Sequence, residues 1–271
     1  MAKLTLCPEE MALPYAKYYE LPFESITPED EAFLTKPMPV EKAMPISKTL
    51  HYMHAGGRDA YAPNGYCNLP DGTSYSSCTV FLPGVTPEMA EWWFTWLNHP
   101  PKSVPAGNGN LKYKIWCPAD HWDHHYLDEH NPDAGMRICE SLDLGAGSPR
   151  KHIINKSLPY DLLGIPQEEI RKLEAAGTVL KFGCGCGEDG IPGGIGVNVF
   201  AAAPGGCVWS SRGWGGWVPK DGRLVRNPNF VPGPEKDTQL ELTHNVLERR
   251  HLAVFLPELY AAYHEKPFDE D

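Results

Sequence analysis

The chain ends in a segment that reads as a long helix. Thr243–Glu248 opens it, and the apolar run His251–Leu256 continues it. A helix of this kind has an apolar stripe that must be buried against another layer, so the preceding residues have to supply that layer. His244 and Glu248 are four residues apart and therefore share one face. An imidazole and a carboxylate side by side on one rigid element are what a divalent metal such as zinc takes from a helix. The bland alternative is a surface helix whose polar face happens to carry both.

Upstream of the helix the chain reads mostly as antiparallel sheet. Asn64-Gly65 and Asp71-Gly72 are hairpin-type turn signals, and they flank the strand-like stretches Tyr66–Leu69 and Thr73–Phe81. Thr86 then caps a helix expected over Pro87–Leu97, whose Trp92, Trp93 and Trp96 form a core stripe or the wall of an aromatic pocket. Alternation predicts a strand at Leu111–Trp116, with Leu111, Tyr113 and Ile115 on one face. Asn131–Pro149 reads as loop and edge, and Arg150–Lys156 as a strand carrying His152. A helix is expected over Pro166–Ala176. Strands are expected at Val179–Phe182, Ile195–Ala203 and Val208–Trp214, then a polar linker from Val218 to Lys236. Strands followed by a long terminal helix make an α+β layout. Residues 1–55, punctuated by prolines, read as an N-terminal helical and extended arm available for pairing two chains into a homodimer; residues 56–271 form the main domain.

Composition narrows the classes of partner. With 35 acidic against 24 basic residues the formal net charge is −11. That disfavours nucleic acid and anionic membrane surfaces, which call for basic patches. No apolar run approaches the roughly 18 residues of a spanning helix. The first residues lack a signal peptide's apolar stretch, so a cytoplasmic location is the expectation. The eight cysteines are scattered apart from Cys184 and Cys186, a pattern expected of reduced thiols. Two ligands alone are too few for a structural zinc site.

The densest supply of ligand side chains is His121, His124 and His125 with Asp123, placed by this reading on a loop past a strand end. His251 shares the helix face of His244 but stands about 10 Å along the axis, too far to bind the same ion.

The chain resembles the 2,4-diacetylphloroglucinol hydrolase and phloretin hydrolase family. The matching stretches are Asn64–Thr73, Pro83–Met89 running into Trp92–Trp96, Tyr113–Trp116 with Pro118 and His121, and finally His244, Glu248 and Leu256–Tyr260. They are collinear over roughly residues 40–263 and thin out between about 130 and 235. The resemblance implies a Bet v 1-like helix-grip, a curved antiparallel sheet around a long C-terminal helix. It also implies zinc-dependent hydrolysis of the carbon–carbon bond joining an acyl group to a polyhydroxylated ring, with Mn2+ or another divalent metal as alternatives.

In that family the metal is held by a His after the Tyr-Lys-x-Trp stretch, a Glu on the next strand, and a His and Glu of the last helix. His121, His244 and Glu248 match three of these. The family's spacing for the fourth falls on His152, with Glu140 as the other candidate. The family's further histidine has no counterpart, because none lies between His152 and His244. The proton-transfer role then falls to His124, and Tyr113 matches a tyrosine that touches the reacting carbonyl. Two alternatives stay open at this point: a hydrolase of another 1,3-diketone, including a cyclic one opened at the ring, or a non-catalytic carrier of hydrophobic ligands.

Overall fold

A computed structural model of the chain describes residues 3–268. Three short helices lie in the first 55 residues: Pro8–Met11 (α1), Pro28–Leu34 (α2) and Thr49–His54 (α3). Then come strands Gly65–Asn68 (β1) and Ser74–Pro83 (β2), helices Pro87–Trp96 (α4) and Leu111–Trp116 (α5), and strands His121–Tyr126 (β3), Met136–Glu140 (β4) and Lys151–Ser157 (β5). Helix Gln167–Ala175 (α6) leads to Val179–Cys186 (β6), Pro192–Ala203 (β7) and Gly206–Gly215 (β8). A small hairpin, Trp217–Lys220 (β9) with Arg223–Arg226 (β10), precedes the long helix Glu235–Tyr263 (α7).

Eight strands form one antiparallel sheet in the order β1-β2-β8-β7-β6-β5-β4-β3. The expected α+β arrangement, an antiparallel sheet packed on a long C-terminal helix, is the one adopted. The sheet is covered on both faces. Leu242, Val246, Leu252, Phe255 and Leu256 of α7 pack with Trp93 of α4, Ile115 of α5 and Trp209 of β8 in one core. Tyr52 and Met53 of α3 and Ile170 of α6 pack with Val197 and Trp214 in the other. Strand alternation explains how β8 serves both, since Trp209 and Trp214 lie five residues apart and so point to opposite faces.

Local signals set most boundaries. The Thr27 hydroxyl accepts from the Asp30 amide while Asp30 bonds back to the Thr27 amide, a reciprocal cap at the start of α2. Thr86 accepts from the Met89 amide at the start of α4. The tryptophans of α4 belong to the core and not to a pocket wall: Trp93 is fully buried, and its ring centroid lies 5.2 Å from that of Phe255.

Four expectations need correcting. Leu111–Trp116 is a helix, capped by Asn110, whose side chain accepts from the Lys112 amide. The apparent alternation came from two lysines that are buried. Lys114 pairs with Glu10 at 2.7 Å, and Lys112 sits 4.3 Å above the Trp96 ring. His121–Tyr126 is a strand, not a loop. The stretch 131–149, expected to be loop, contains β4, and the linker contains the β9–β10 hairpin.

The Lys114–Glu10 pair joins α5 to the N-terminal helices with both side chains at or below 1% exposure. Lys114→Met leaves Glu10 buried without its partner, so the expected loss of stability is about 3–5 kcal/mol. Adding Glu10→Leu should restore most of it. Urea denaturation of the wild type and both variants checks the pair; a single variant as stable as wild type would refute its role.

Candidate metal centre

The sheet register decides which side chains meet. His121 on β3 stands directly opposite Glu140 on β4, so the two share a face at close range. His152 on β5 stands opposite Cys139. Neighbours along a strand face opposite ways, so His152 points with Cys139, away from the Glu140 side. Its ring is exposed and lies 3.8 Å from the Cys139 sulfur. The structure therefore does not bring His152 to the other candidates; it brings Glu140.

A bulge shapes β3. The register shifts between His121 and Asp123, which leaves Trp122 as an extra residue. In a regular strand His121 and His124 would face opposite ways. With the extra residue both are buried against Tyr113, with ring centroids 3.7 and 5.0 Å from its ring. The bulge is held by Asn110, whose amide donates to the Trp122 carbonyl and whose side chain donates to the His124 carbonyl. Gly109 precedes it at φ +76°, where a Cβ would lie 2.3 Å from that same Trp122 oxygen, so glycine is required.

Helix α7 supplies His244 and Glu248 from one face, as expected. The Nε2 atoms of His121 and His244 lie 3.1 Å apart. Glu248 Oε2 is 3.3 Å from the first and 3.5 Å from the second. Glu140 Oε2 is 3.4 Å from His121 Nε2. All four residues are buried.

The far side of each imidazole fixes which nitrogen carries the proton. His121 Nδ1 faces the Tyr113 carbonyl at 3.2 Å, and His244 Nδ1 faces Asp120 Oδ2 at 2.7 Å. Both partners accept only, so both Nδ1 atoms donate, and in the neutral rings both Nε2 atoms keep lone pairs for an ion. Asp120 is itself anchored by the Ser141 hydroxyl and the Leu144 and Gly145 amides. A carboxylate behind a ligating histidine is the usual outer support of a metal site.

Cys117, His121 and His244 form a buried group whose ligand atoms lie within 4.8 Å of one another and could hold a metal ion. Within that group the cysteine is the weaker member. Its sulfur is 3.7 Å from His244 Nδ1, behind the ring and on the side Asp120 uses. Burial also pushes its thiol up, favouring the protonated form. The convergence on the Nε2 side fits an ion better. Ligand atoms at about 2.0–2.1 Å in a tetrahedral shell are about 3.3 Å apart, close to the 3.1–3.5 Å found between His121, His244 and Glu248 and the 3.4 Å from Glu140 to His121.

Electrostatics agree. Burial alone would lower the His244 ring; the Glu248 charge and the Asp120 hydrogen bond outweigh it and push its pKa well above the ordinary value, so that without an ion the ring takes a second proton at Nε2. Burial would raise Glu248, yet the positive charge of the protonated His244 holds it down at about 2. The pocket thus favours positive charge at its centre. Tyr113 keeps its proton, because burial and the Glu140 and Glu248 charges raise it, and its hydroxyl donates to Glu140 Oε2. His124 is neutral: burial, with His121 and His125 nearby, pushes it down to about 3, and its Nδ1 has no partner among the described residues. His251 bonds through Nδ1 to the Trp116 carbonyl and stays out of the cluster.

Asp120 was not singled out in the sequence. Its one signal there was its position directly before His121.

A cavity of about 190 Å³ runs along the adjoining face of α7, against β2, β7 and β8, with Glu241, Asn245 and Arg249 in its lining. Glu241 and Asn245 each stand three residues before His244 and Glu248, within one helical turn of the cluster.

The chain belongs to a known class: residues 51–261 match the model of the DAPG hydrolase PhiG domain, and the chain is a member of that family. It is 30% identical over 275 residues to phloretin hydrolase of Eubacterium ramulus, covering 96% of this chain and 93% of that one. It is 28% identical over 227 residues to 2,4-diacetylphloroglucinol hydrolase of Pseudomonas protegens, covering 74% and 68%. Among solved structures, that of Ara h 8.0201 aligns with 69% of this chain and 99% of its own at 12% identity and a TM-score of 0.40.

The geometry separates the two candidates for the fourth ligand. Glu140→Ala should cut the metal bound per purified chain at least tenfold, as should His244→Ala, whereas His152→Ala should leave it unchanged. Elemental analysis of the three variants decides; loss of metal in the His152 variant with retention in the Glu140 variant would reverse the assignment.

Proposed function

We propose that the chain is a metal-dependent hydrolase that cleaves the bond between an acyl carbon and the ring carbon of an acylated polyhydroxybenzene. Zinc is the first-choice metal, held by His121, Glu140, His244 and Glu248. The observation that carries this reading is the meeting of two imidazole lone pairs and two carboxylates at one buried point, in a member of the DAPG hydrolase family. Two imidazoles and two carboxylates favour a borderline ion such as zinc over the harder calcium or magnesium.

When bound, the ion supplies a Lewis acid that polarises a carbonyl and lowers the pKa of water. The protein's residues do the rest. Tyr113 orients Glu140 through its hydroxyl and so acts as a positioning residue, rather than as a free donor to the substrate carbonyl. Asp120 sets the tautomer of His244. His124 is the proposed proton carrier: neutral at rest and with Nδ1 unpartnered among the described residues, it accepts a proton as water adds to the acyl carbon and passes it on. The acyl–ring bond then breaks, its electron pair passes to the ring carbon, and the proton is delivered there. The products are a carboxylic acid and the deacylated phenol. Hydroxyls around the ring make this possible, since the keto tautomer lets the ring carbon leave as an enolate.

The carrier reading loses ground on the same observation. A protein that only holds hydrophobic ligands has no use for four converging ligand atoms supported from behind. No helix among the described residues is long and apolar enough to cross a membrane.

Incubation with acylphloroglucinols should yield the free acid and the deacylated ring, and a chelator should abolish turnover until zinc is restored. His124→Ala should lower kcat about 10²–10⁴-fold, the usual worth of a general acid–base group, at unchanged metal content. Tyr113→Phe should weaken metal retention as well as rate. Product analysis that finds no carbon–carbon cleavage, with metal present, would overturn the reading.

A further inference from the structure

Arg249 is a buried cation of the cavity lining with no opposite charge paired to it among the described residues. It is 2% exposed, and no carboxylate lies within ion-pairing distance of it among the described residues. NH1 donates to the Cys78 carbonyl at 2.9 Å; NH2 donates to the Ser211 hydroxyl at 2.8 Å and to Asn245 Oδ1 at 3.1 Å. All three acceptors are neutral. Nε has no partner, and one guanidinium face is covered by the Trp209 ring at 4.2 Å.

The other buried arginine of the lining shows what compensation looks like here. Arg212 lies 3.3 Å from Asp59, with both side chains fully buried. Arg250, the next residue along α7, holds Asp30 through both of its terminal nitrogens at 2.6 and 2.7 Å. Arg249 stands between a paired neighbour and a paired counterpart and is itself unpaired. Isolated buried charge is expensive and is normally matched.

Two carboxylates are near enough to be asked whether they provide the match. Glu248 is turned to His121 and His244 and is shared with the metal cluster. Glu241 lines the same cavity, two helical turns before Arg249, without an ion pair of its own. Its side chain is exposed to solvent and makes no ion pair with Arg249 among the described residues. Neither cancels the guanidinium.

Resting on the reading of the chain as a hydrolase of acylated polyhydroxybenzenes, we propose that Arg249 is the specificity residue of this cavity, binding the substrate through an ionised ring oxygen, so that the form taken up is the phenolate. A conjugated acyl group ortho or para to the hydroxyl delocalises that charge, which makes such phenols markedly more acidic than phenol itself. A guanidinium already oriented by three hydrogen bonds and a tryptophan face loses little freedom on taking one more oxygen. The same contact would hold negative charge on the ring as the acyl bond breaks, since that charge returns to the ring oxygens.

The test is calorimetric binding to the metal-loaded protein, with 2,4,6-trihydroxyacetophenone, its trimethyl ether, which cannot ionise, and benzoate. The trihydroxy ligand should bind at least tenfold tighter than the ether. Arg249→Met should erase that difference, and Arg249→Lys should retain part of it. The wild-type comparison stands even if the Met variant folds poorly. Equal binding of the ether, no binding of any ligand, or a preference unaltered in a folded Met variant would overturn the proposal. Tighter binding of benzoate would overturn the phenolate in favour of a carboxylate. A protein that binds the phenolate but cleaves nothing keeps this inference and loses the hydrolase reading. One that cleaves without preferring the ionised ligand loses this inference alone.

Discussion

Four lone pairs brought to one buried point repel one another unless something positive sits among them. His121 and His244 face each other through Nε2 at 3.1 Å, with Glu248 and Glu140 completing the group. Neither ring can turn to relieve the contact, because each Nδ1 is spent on an acceptor behind it. A proton or, in the proposed reading, a bound metal ion converts that repulsion into attraction, and the supports behind each residue hold the ligand atoms close together. Much of the local architecture follows from meeting this one requirement.

Three devices meet it, each on a different element. The β3 bulge puts two histidines that regular pleating would separate onto one face, beside Tyr113. The β3–β4 register then sets Glu140 opposite His121. Helix α7 presents His244 and Glu248 one turn apart, and Trp116 on α5 donates its indole N–H to the Glu248 carbonyl, tying the helix to the sheet side of the site. Asp120, fully buried, is held by a hydroxyl and two amides so that it can hold His244. Each support is bonded in turn, which is what keeps a polar cluster rigid inside a protein.

The same helix divides the chemistry between two neighbouring faces. One carries His244 and Glu248; the other, with Glu241, Asn245 and Arg249, lines the cavity. In the proposed reaction this places the carbonyl chemistry and the ring on adjoining stripes of a single rigid element. Relative positions on a helix are fixed by its pitch, so α7 sets the spacing between the two without any loop having to close.

Periodicity and local chemistry in the sequence determined a good deal. The caps at Thr27 and Thr86, the turns that bound β1 and β2, and the i, i+4 pairing of His244 with Glu248 are all decided within a few residues of chain, so they could be read directly. The family resemblance brought His121 into the same group. What escaped depends on partners distant in sequence. Leu111–Trp116 looked like a strand because its two lysines seemed to mark a solvent face, whereas Glu10 and Trp96, far along the chain, allow both to be buried. His152 seemed the fourth ligand because counting residues ignores which way a strand points; pairing with Cys139 turns it away, and β4, hidden in a stretch that reads as loop, brings Glu140 instead. The unpaired charge of Arg249 was equally invisible, since a buried ion is defined by what surrounds it. The sequence determined which side chains could serve; the sheet register and the helix docking decided which of them meet, because only tertiary contacts fix direction and burial.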